Sequence, residues 1–420
     1  MKSDNFANFL NQSKNCFFVP ILFFFFCFSF LYSQENLPEF VDLKYNQIVF
    51  PGDSSAFTNF YRKIDELQLN KRKKVSIIHY GGSHVQAGYW DEAFQENLQN
   101  TITKFDGGGV WTFPFKLGNA NTPPFYMYYS TGIWKRCRSL GKEACTDFGM
   151  NGITVSTTAF TNDFALAIQE NFHHRSFKTA RVYHNFNSSY VFKISRGIEV
   201  PCERRDFPSL GYSQFEFKDQ IDSVAFELTK RDSLDSTRFV LYGISLISDE
   251  PGFYYAGMGF NGASTQSYID AIHLESQLKT LEPDLIIFSI GVNDTHGPNF
   301  SKSYFVTNYD TLVAKIKRVS PNCAILFTTV TDNYIRRKTP NKNTLMAHEA
   351  ILELAKKHNA GYWDMFKLMG GFKSMSLWVK AQLANRDKVH FTSTGYRMMG
   401  NLMFEAFNKS YYHSTTLKKK

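Results

Sequence analysis

Charged residues make up only 20% of the 420-residue chain, and no internal block of six like charges occurs. The longest basic run, Lys71-Arg72-Lys73-Lys74, leads straight into an apolar segment. The chain ends contribute nearly half of the formal net charge of +9. Setting aside Lys2, Lys14 and Lys418 to Lys420, together with Asp4, leaves 42 positive against 37 negative residues. Nucleic acid is therefore not an expected partner. Cysteine is scarce: six occur, with no CxxC pair, which excludes the usual zinc patterns and a disulfide scaffold. Cys137 and Cys145 could close a small loop in an oxidising compartment. Cys323, inside CAILFTTV, reads as a buried thiol. No internal repeat is present. A hydrophobic content of 43% rules out a mainly disordered chain.

Long hydrophobic runs are also rare. The one that stands out is Phe17 to Tyr32, 16 residues, preceded by Lys14. That is short for a span of about 20 residues and suits the apolar region of a signal peptide. Residues 1–33 are accordingly read as a signal peptide, and the remainder as exported, periplasmic or secreted. An uncleaved anchor at this segment would be the protein's contact with a membrane. Phe25 and Phe26 before Cys27 do not fit a lipoprotein site.

Beyond the leader, VSIIHYGG (75–82) is an apolar run closed by two glycines and followed by a helical YWDEAFQENLQN. PDLIIFSIGVND (283–294) repeats that pattern, and CAILFTTV (323–330) adds a third strand. MAHEAILELAKKHN (346–359) carries apolar residues at helical spacing. Unalternating apolar strands interleaved with helices predict a parallel sheet covered on both faces. Residues 107–250 differ. ARVYHNF, YVFKIS, SQFEFK and DSVAFELTK alternate between apolar and polar residues, with turn residues every 8–15 positions. This cadence predicts an antiparallel β-sandwich, mainly over 155–250, inserted between α/β parts at 34–106 and 251–420.

Four groups fall where open parallel sheets place their sites, at the carboxyl ends of strands. Tyr80-Gly81-Gly82-Ser83-His84 puts a serine in the turn between strand and helix. Gly259-Phe260-Asn261-Gly262-Ala263-Ser264 is a turn whose glycine can present a bare N–H. Gly291-Val292-Asn293-Asp294 offers an amide donor. In Asp387-Lys388-Val389-His390 a carboxylate can orient an imidazole three residues away. In this order the four blocks resemble the SGNH (GDSL-like) hydrolases over about 34–105 and 251–420. The resemblance implies a three-layer α/β/α, flavodoxin-like fold. It also implies Ser83 as nucleophile, His390 as base with Asp387 orienting it, and an oxyanion hole from the Ser83 N–H, Gly262 and Asn293. One departure is Gly82, where the family usually has aspartate. Gly52-Asp53-Ser54 spells the family's signature tripeptide, yet it follows a short strand and precedes FTNFYRKIDELQL, so a helix cap is the expected reading. No GxSxG elbow surrounds either serine.

His84, beside the serine, and Trp378, in MGGFKSMSLW, are read as candidate substrate-facing residues, with packing of Trp378 as the alternative. Trp134 and Arg136 in STGIWKRCRS could form a sugar-facing platform, against a core role for Trp134. His173 and His174 lack a third metal ligand nearby. The resemblance requires no cofactor and no metal. Together with the export signal and the insert, it suggests an esterase removing O-acetyl groups from a polysaccharide or peptidoglycan. The alternatives are an O-acyltransferase using the same residues and a non-catalytic glycan-binding envelope protein. The oligomeric state is not encoded in any feature of the sequence.

Overall fold

The computed structural model describes residues 37–103, 105, 107–141, 145–170, 172, 176–195 and 200–417. The expected signal peptide at 1–33 lies outside the described residues, as do His173 and His174. Among the described residues, no helix is long and apolar enough to cross a membrane.

Six strands form the parallel centre of the molecule. In spatial order they are Gly361–Trp363, Ala324–Thr328, Leu285–Ser289, Lys74–Gly81, Gly252–Gly259 and Gly109–Thr112. Side chains alternate between the two faces of this sheet, and both faces are apolar. Ile78, Tyr80, Ile286 and Phe288 face one core, against the helices Lys302–Val319 and Asn343–Lys357. Val75, Ile77, Leu285 and Ile287 face the other, against Ser55–Gln68, Tyr89–Asn97 and Ser393–Leu417. The result is the expected three-layer α/β/α arrangement. Lys302–Val319 shows how the sequence builds such a helix. Ser301 caps it by accepting from the Tyr304 N–H, and Phe305, Tyr309, Leu312, Val313 and Ile316 line its buried stripe. Arg72, in the basic run before the serine strand, pairs with the buried Asp284, which Lys63 also reaches.

The region between the halves is less separate than the sequence suggests. Past Gly109–Thr112 the same sheet continues antiparallel through Phe239–Ile247, Phe177–His184, Tyr212–Ile221 and Cys202–Phe207, reaching thirteen strands in all. A second sheet of four strands, Tyr126–Tyr129, Thr161–Ile168, Ser223–Lys230 and Tyr190–Ile194, packs on this extension. One layer of the sandwich is therefore a continuation of the central sheet. Phe192 and Phe226 of the small sheet meet Phe215 and Phe239 of the large one, with ring centroids 5.2–5.6 Å apart, and Phe164 packs on both within the small sheet. Each of these buried rings contributes roughly 2–3 kcal/mol by leaving water, so truncating Phe226 to alanine costs about 3–5 kcal/mol.

Candidate active site

Ser83 opens a short helix, Ser83–Gln86, directly after the strand Lys74–Gly81 and its trailing Gly82. Its Oγ lies 2.8 Å from His390 Nε2, and His390 Nδ1 lies 2.8 Å from Asp387 Oδ2. The other carboxylate oxygen, Oδ1, accepts from the backbone N–H groups of Val389 and His390 at 2.9 and 3.0 Å. Both oxygens of Asp387 thus serve one tight turn. Asn385 closes that turn by donating its N–H to the His390 carbonyl at 2.7 Å. Lys388, inside it, has φ of 58°, a left-handed conformation that costs a non-glycine residue energy. Burial alone would raise the Asp387 carboxyl. The hydrogen bonds from His390 and Val389 outweigh it and hold the pKa below the ordinary value. An ionised Asp387 fixes the proton on Nδ1 and leaves Nε2 free to take the serine proton.

Gly262 and Asn293 reach the same place from two further loops. Gly262 has φ of 92°, open to glycine at little cost, and its turn leaves the N–H bare of side chain. A Cβ at this position would come within 3.3 Å of Leu140. Asn293 Nδ2 donates to the Ala263 carbonyl at 2.8 Å, which holds one amide hydrogen and leaves the second. Ser83, Gly262, Asn293 and His390 all line one cleft of about 460 Å³, together with Gln86, Asn121, Thr122, Asn261, Asn385 and Tyr396. Such a cleft places a nucleophile, a base and convergent donors around one reacting carbonyl.

Gly82 occupies the position where an aspartate was expected. Its Cβ would stand 3.3 Å from Asn293 Nδ2, so the bare glycine gives the amide its room. His84 does not face the cleft. It is only 4% exposed, and its Nδ1 is hydrogen-bonded with the Tyr396 hydroxyl at 2.8 Å. Burial, reinforced by the neighbouring His390, lowers its pKa to about 3 and keeps it neutral. The expected substrate contact by His84 is therefore replaced by a support beneath Tyr396. Trp378 is likewise fully buried between Phe40 and Phe391, with its indole N–H on the Met369 carbonyl, and has no surface for a ligand. Its packing alternative describes it. Trp134 is also buried, against Phe164, whereas Arg136 lines a chamber next to the cleft.

Two other constellations look reactive on paper and are not placed for it. Asp53 accepts from the Ser55 N–H and hydroxyl at the start of Ser55–Gln68, an exposed cap. Ser289, His79 and Asp91 form a second serine–histidine–carboxylate array, with contacts of 2.6 and 2.8 Å. His79 has no exposed surface and also meets the Tyr255 hydroxyl, so this array staples the central strands to Tyr89–Asn97. The residue that sequence reasoning missed is Gln86. Its Nε2 donates to the Asn121 carbonyl at 2.7 Å, and its Oε1 accepts from the Asn261 N–H, linking the serine helix to both the insert and the Gly262 turn. Three residues after Ser83 on a helix, it shares the serine's face, which was the available signal. Among the described residues, no group of three metal-ligating side chains is assembled.

Residues 243–398 match the model of the GDSL-like Lipase/Acylhydrolase family. That GDSL-like segment holds Gly262, Asn293, Asp387 and His390. The serine strand falls outside it because the insert separates it from the rest. Among solved structures, a peptidoglycan O-acetylesterase superposes with a TM-score of 0.70 at 17% identity, over 87% of this chain and 99% of its own. A family two carbohydrate esterase from Cellvibrio japonicus (8% identity, 68% of this chain and 98% of its own) reaches a TM-score of only 0.28. An acetyl xylan esterase (20% identity, 37% of this chain and 81% of its own) reaches 0.31. No curated protein matches the sequence. The GDSL-like match and the first superposition agree on the fold.

Proposed function

We propose that the protein is an exported serine esterase that removes O-acetyl groups from a polysaccharide or peptidoglycan. The observation that carries this reading is the hydrogen-bonded series Ser83–His390–Asp387 at the edge of a cleft shared with Gly262 and Asn293. In this mechanism His390 Nε2 takes the Ser83 proton as Oγ attacks the acetyl carbonyl. Asp387 stabilises the imidazolium, and the oxyanion is received by the Ser83 and Gly262 N–H groups and the free Asn293 amide hydrogen. Collapse of the tetrahedral species returns the proton to the sugar oxygen and leaves an acetyl-serine. A water molecule, deprotonated by the same histidine, then releases acetate. The resemblance in fold to a peptidoglycan O-acetylesterase supports a glycan-borne acetyl group as the substrate. The apolar run at residues 17–32 supports export.

The test is acetate release from O-acetylated peptidoglycan, xylan and oligosaccharides, with Ser83→Ala as control. Release by the wild type and its loss in Ser83→Ala is the expected result. Equal rates for the two proteins would overturn the assignment.

A further inference from the structure

Asn293 belongs to two concavities at once: the catalytic cleft and a neighbouring hollow of about 290 Å³. Both oxyanion loops run on into this hollow. Ser264, two residues past Gly262, lines it, and so does Asp294, the residue after Asn293. The Asp294 carboxylate takes the Thr265 hydroxyl at 2.6 Å and the Thr265 N–H at 3.2 Å, which ties the two loops together at the back of the hollow. An acetyl group has two carbons and is accommodated beside Ser83, so the space beyond Asn293 is available to another part of the substrate.

The outer wall is aromatic. Tyr304, in the first turn of Lys302–Val319, is 58% exposed, yet its position is fixed. Its hydroxyl donates to Gln266 Oε1 at 2.8 Å, and Gln266 Nε2 in turn donates to Asp270 at 2.6 Å. The ring is therefore clasped to the helix Thr265–Ile269 instead of turning freely in water. Phe300 lines the same hollow, set edge-on against the buried Phe305 with ring centroids 5.5 Å apart. An aromatic face is electron-rich and attracts the slightly positive C–H groups that a sugar ring presents on its apolar side. The polar atoms of Ser264, Asn299 and Asp294 suit the hydroxyls at the ring's rim. Asp294 is the one charged side chain among the described lining residues, and no lysine or arginine accompanies it. A carboxylate-bearing sugar would be repelled there; a neutral one would not.

We propose that this hollow is a subsite in which a neutral sugar unit adjoining the acetylated one stacks on Tyr304. The proposal rests on the esterase reading and deepens it: the preferred substrate is an oligomer, and affinity grows when the chain is long enough to reach past Asn293.

The experiment measures kcat/KM for acetate release from two neutral series, O-acetylated xylo-oligosaccharides and O-acetylated chito-oligosaccharides, from disaccharide to hexasaccharide. Aryl acetate, which cannot reach the hollow, serves as the reference. The wild type should gain about tenfold along at least one series, the size expected of one aromatic stacking contact. Tyr304→Ala should lose that gain through KM while matching the wild type on aryl acetate. Tyr304→Phe, which keeps the ring and drops the clasp, should retain most of it. Calorimetric binding of the unacetylated hexasaccharide to Ser83→Ala, lost in Ser83→Ala/Tyr304→Ala, gives a readout independent of turnover. No gain with length in either series, or a gain undiminished in Tyr304→Ala, overturns the subsite. Absence of turnover by the wild type on aryl acetate as well as on the glycans would instead overturn the esterase reading.

Discussion

Asn293 Nδ2 donates to the carbonyl of Ala263 across 2.8 Å, joining the loop after one strand to the residue that follows Gly262. The two oxyanion elements are therefore set by one hydrogen bond, and neither moves without the other. Asn293→Ala removes both the bond and the donor. The expected loss in kcat is about 10²–10³-fold with KM little changed, as for single oxyanion donors generally. A change confined to KM in steady-state assays on aryl acetate would show that Asn293 acts only in binding.

Gly82 gives that amide its space. A methyl group in Gly82→Ala would stand 3.3 Å from Nδ2 and push the asparagine outward by a few tenths of an ångström. We expect a fall of about three- to tenfold in kcat, with the folded state preserved in circular dichroism. An unchanged kcat would mean the loop yields without cost.

Asp387→Asn keeps the size of the side chain but removes its charge and lets the amide face Nδ1 as a donor. The imidazole then favours the wrong tautomer, with Nε2 protonated against Ser83. A drop of about 10³–10⁴-fold in kcat is expected. The activity should not be recovered at any pH between 6 and 9. Recovery at high pH would point to a purely electrostatic role.

Asp332 offers a pH test away from the chemistry. It is fully buried, and its Oδ2 accepts from the Met375 N–H at 2.9 Å. Burial raises its pKa to about 6. A carboxyl raised in the folded state binds its proton more tightly there than when unfolded. Its stabilising contribution is thus full below about pH 4 and is lost as pH rises through about 6. Asp332→Asn abolishes that loss. The variant's stability relative to the wild type should therefore increase between pH 4 and pH 7, by at most about 3 kcal/mol. Denaturation curves at both pH values check this, and a difference independent of pH would contradict it.

The alternation of apolar strands with amphipathic helices is a local property, and it was enough to indicate the layered sheet. The three-residue spacing of Asp387 and His390 likewise dictates a contact that any tight turn would make. Other features depend on partners distant in sequence. That His84 turns inward follows from Tyr396, 312 residues away, which no pattern around the serine reveals. Trp378 is covered by Phe40 and Phe391, from separate segments. Gly109–Thr112 pairs parallel on one side and antiparallel on the other, which four residues of sequence cannot announce.

That last strand decides how the molecule comes apart. Because Gly109–Thr112 carries the backbone ladder from Gly252–Gly259 to Phe239–Ile247, the hydrolase half and the sandwich have no seam of side chains between them along the sheet. Cutting the insert out would leave a raw parallel edge, ready to pair with another chain, in place of a closed surface. The two parts should melt in one transition, and the sandwich cannot serve as a portable glycan-binding module that other enzymes could borrow intact.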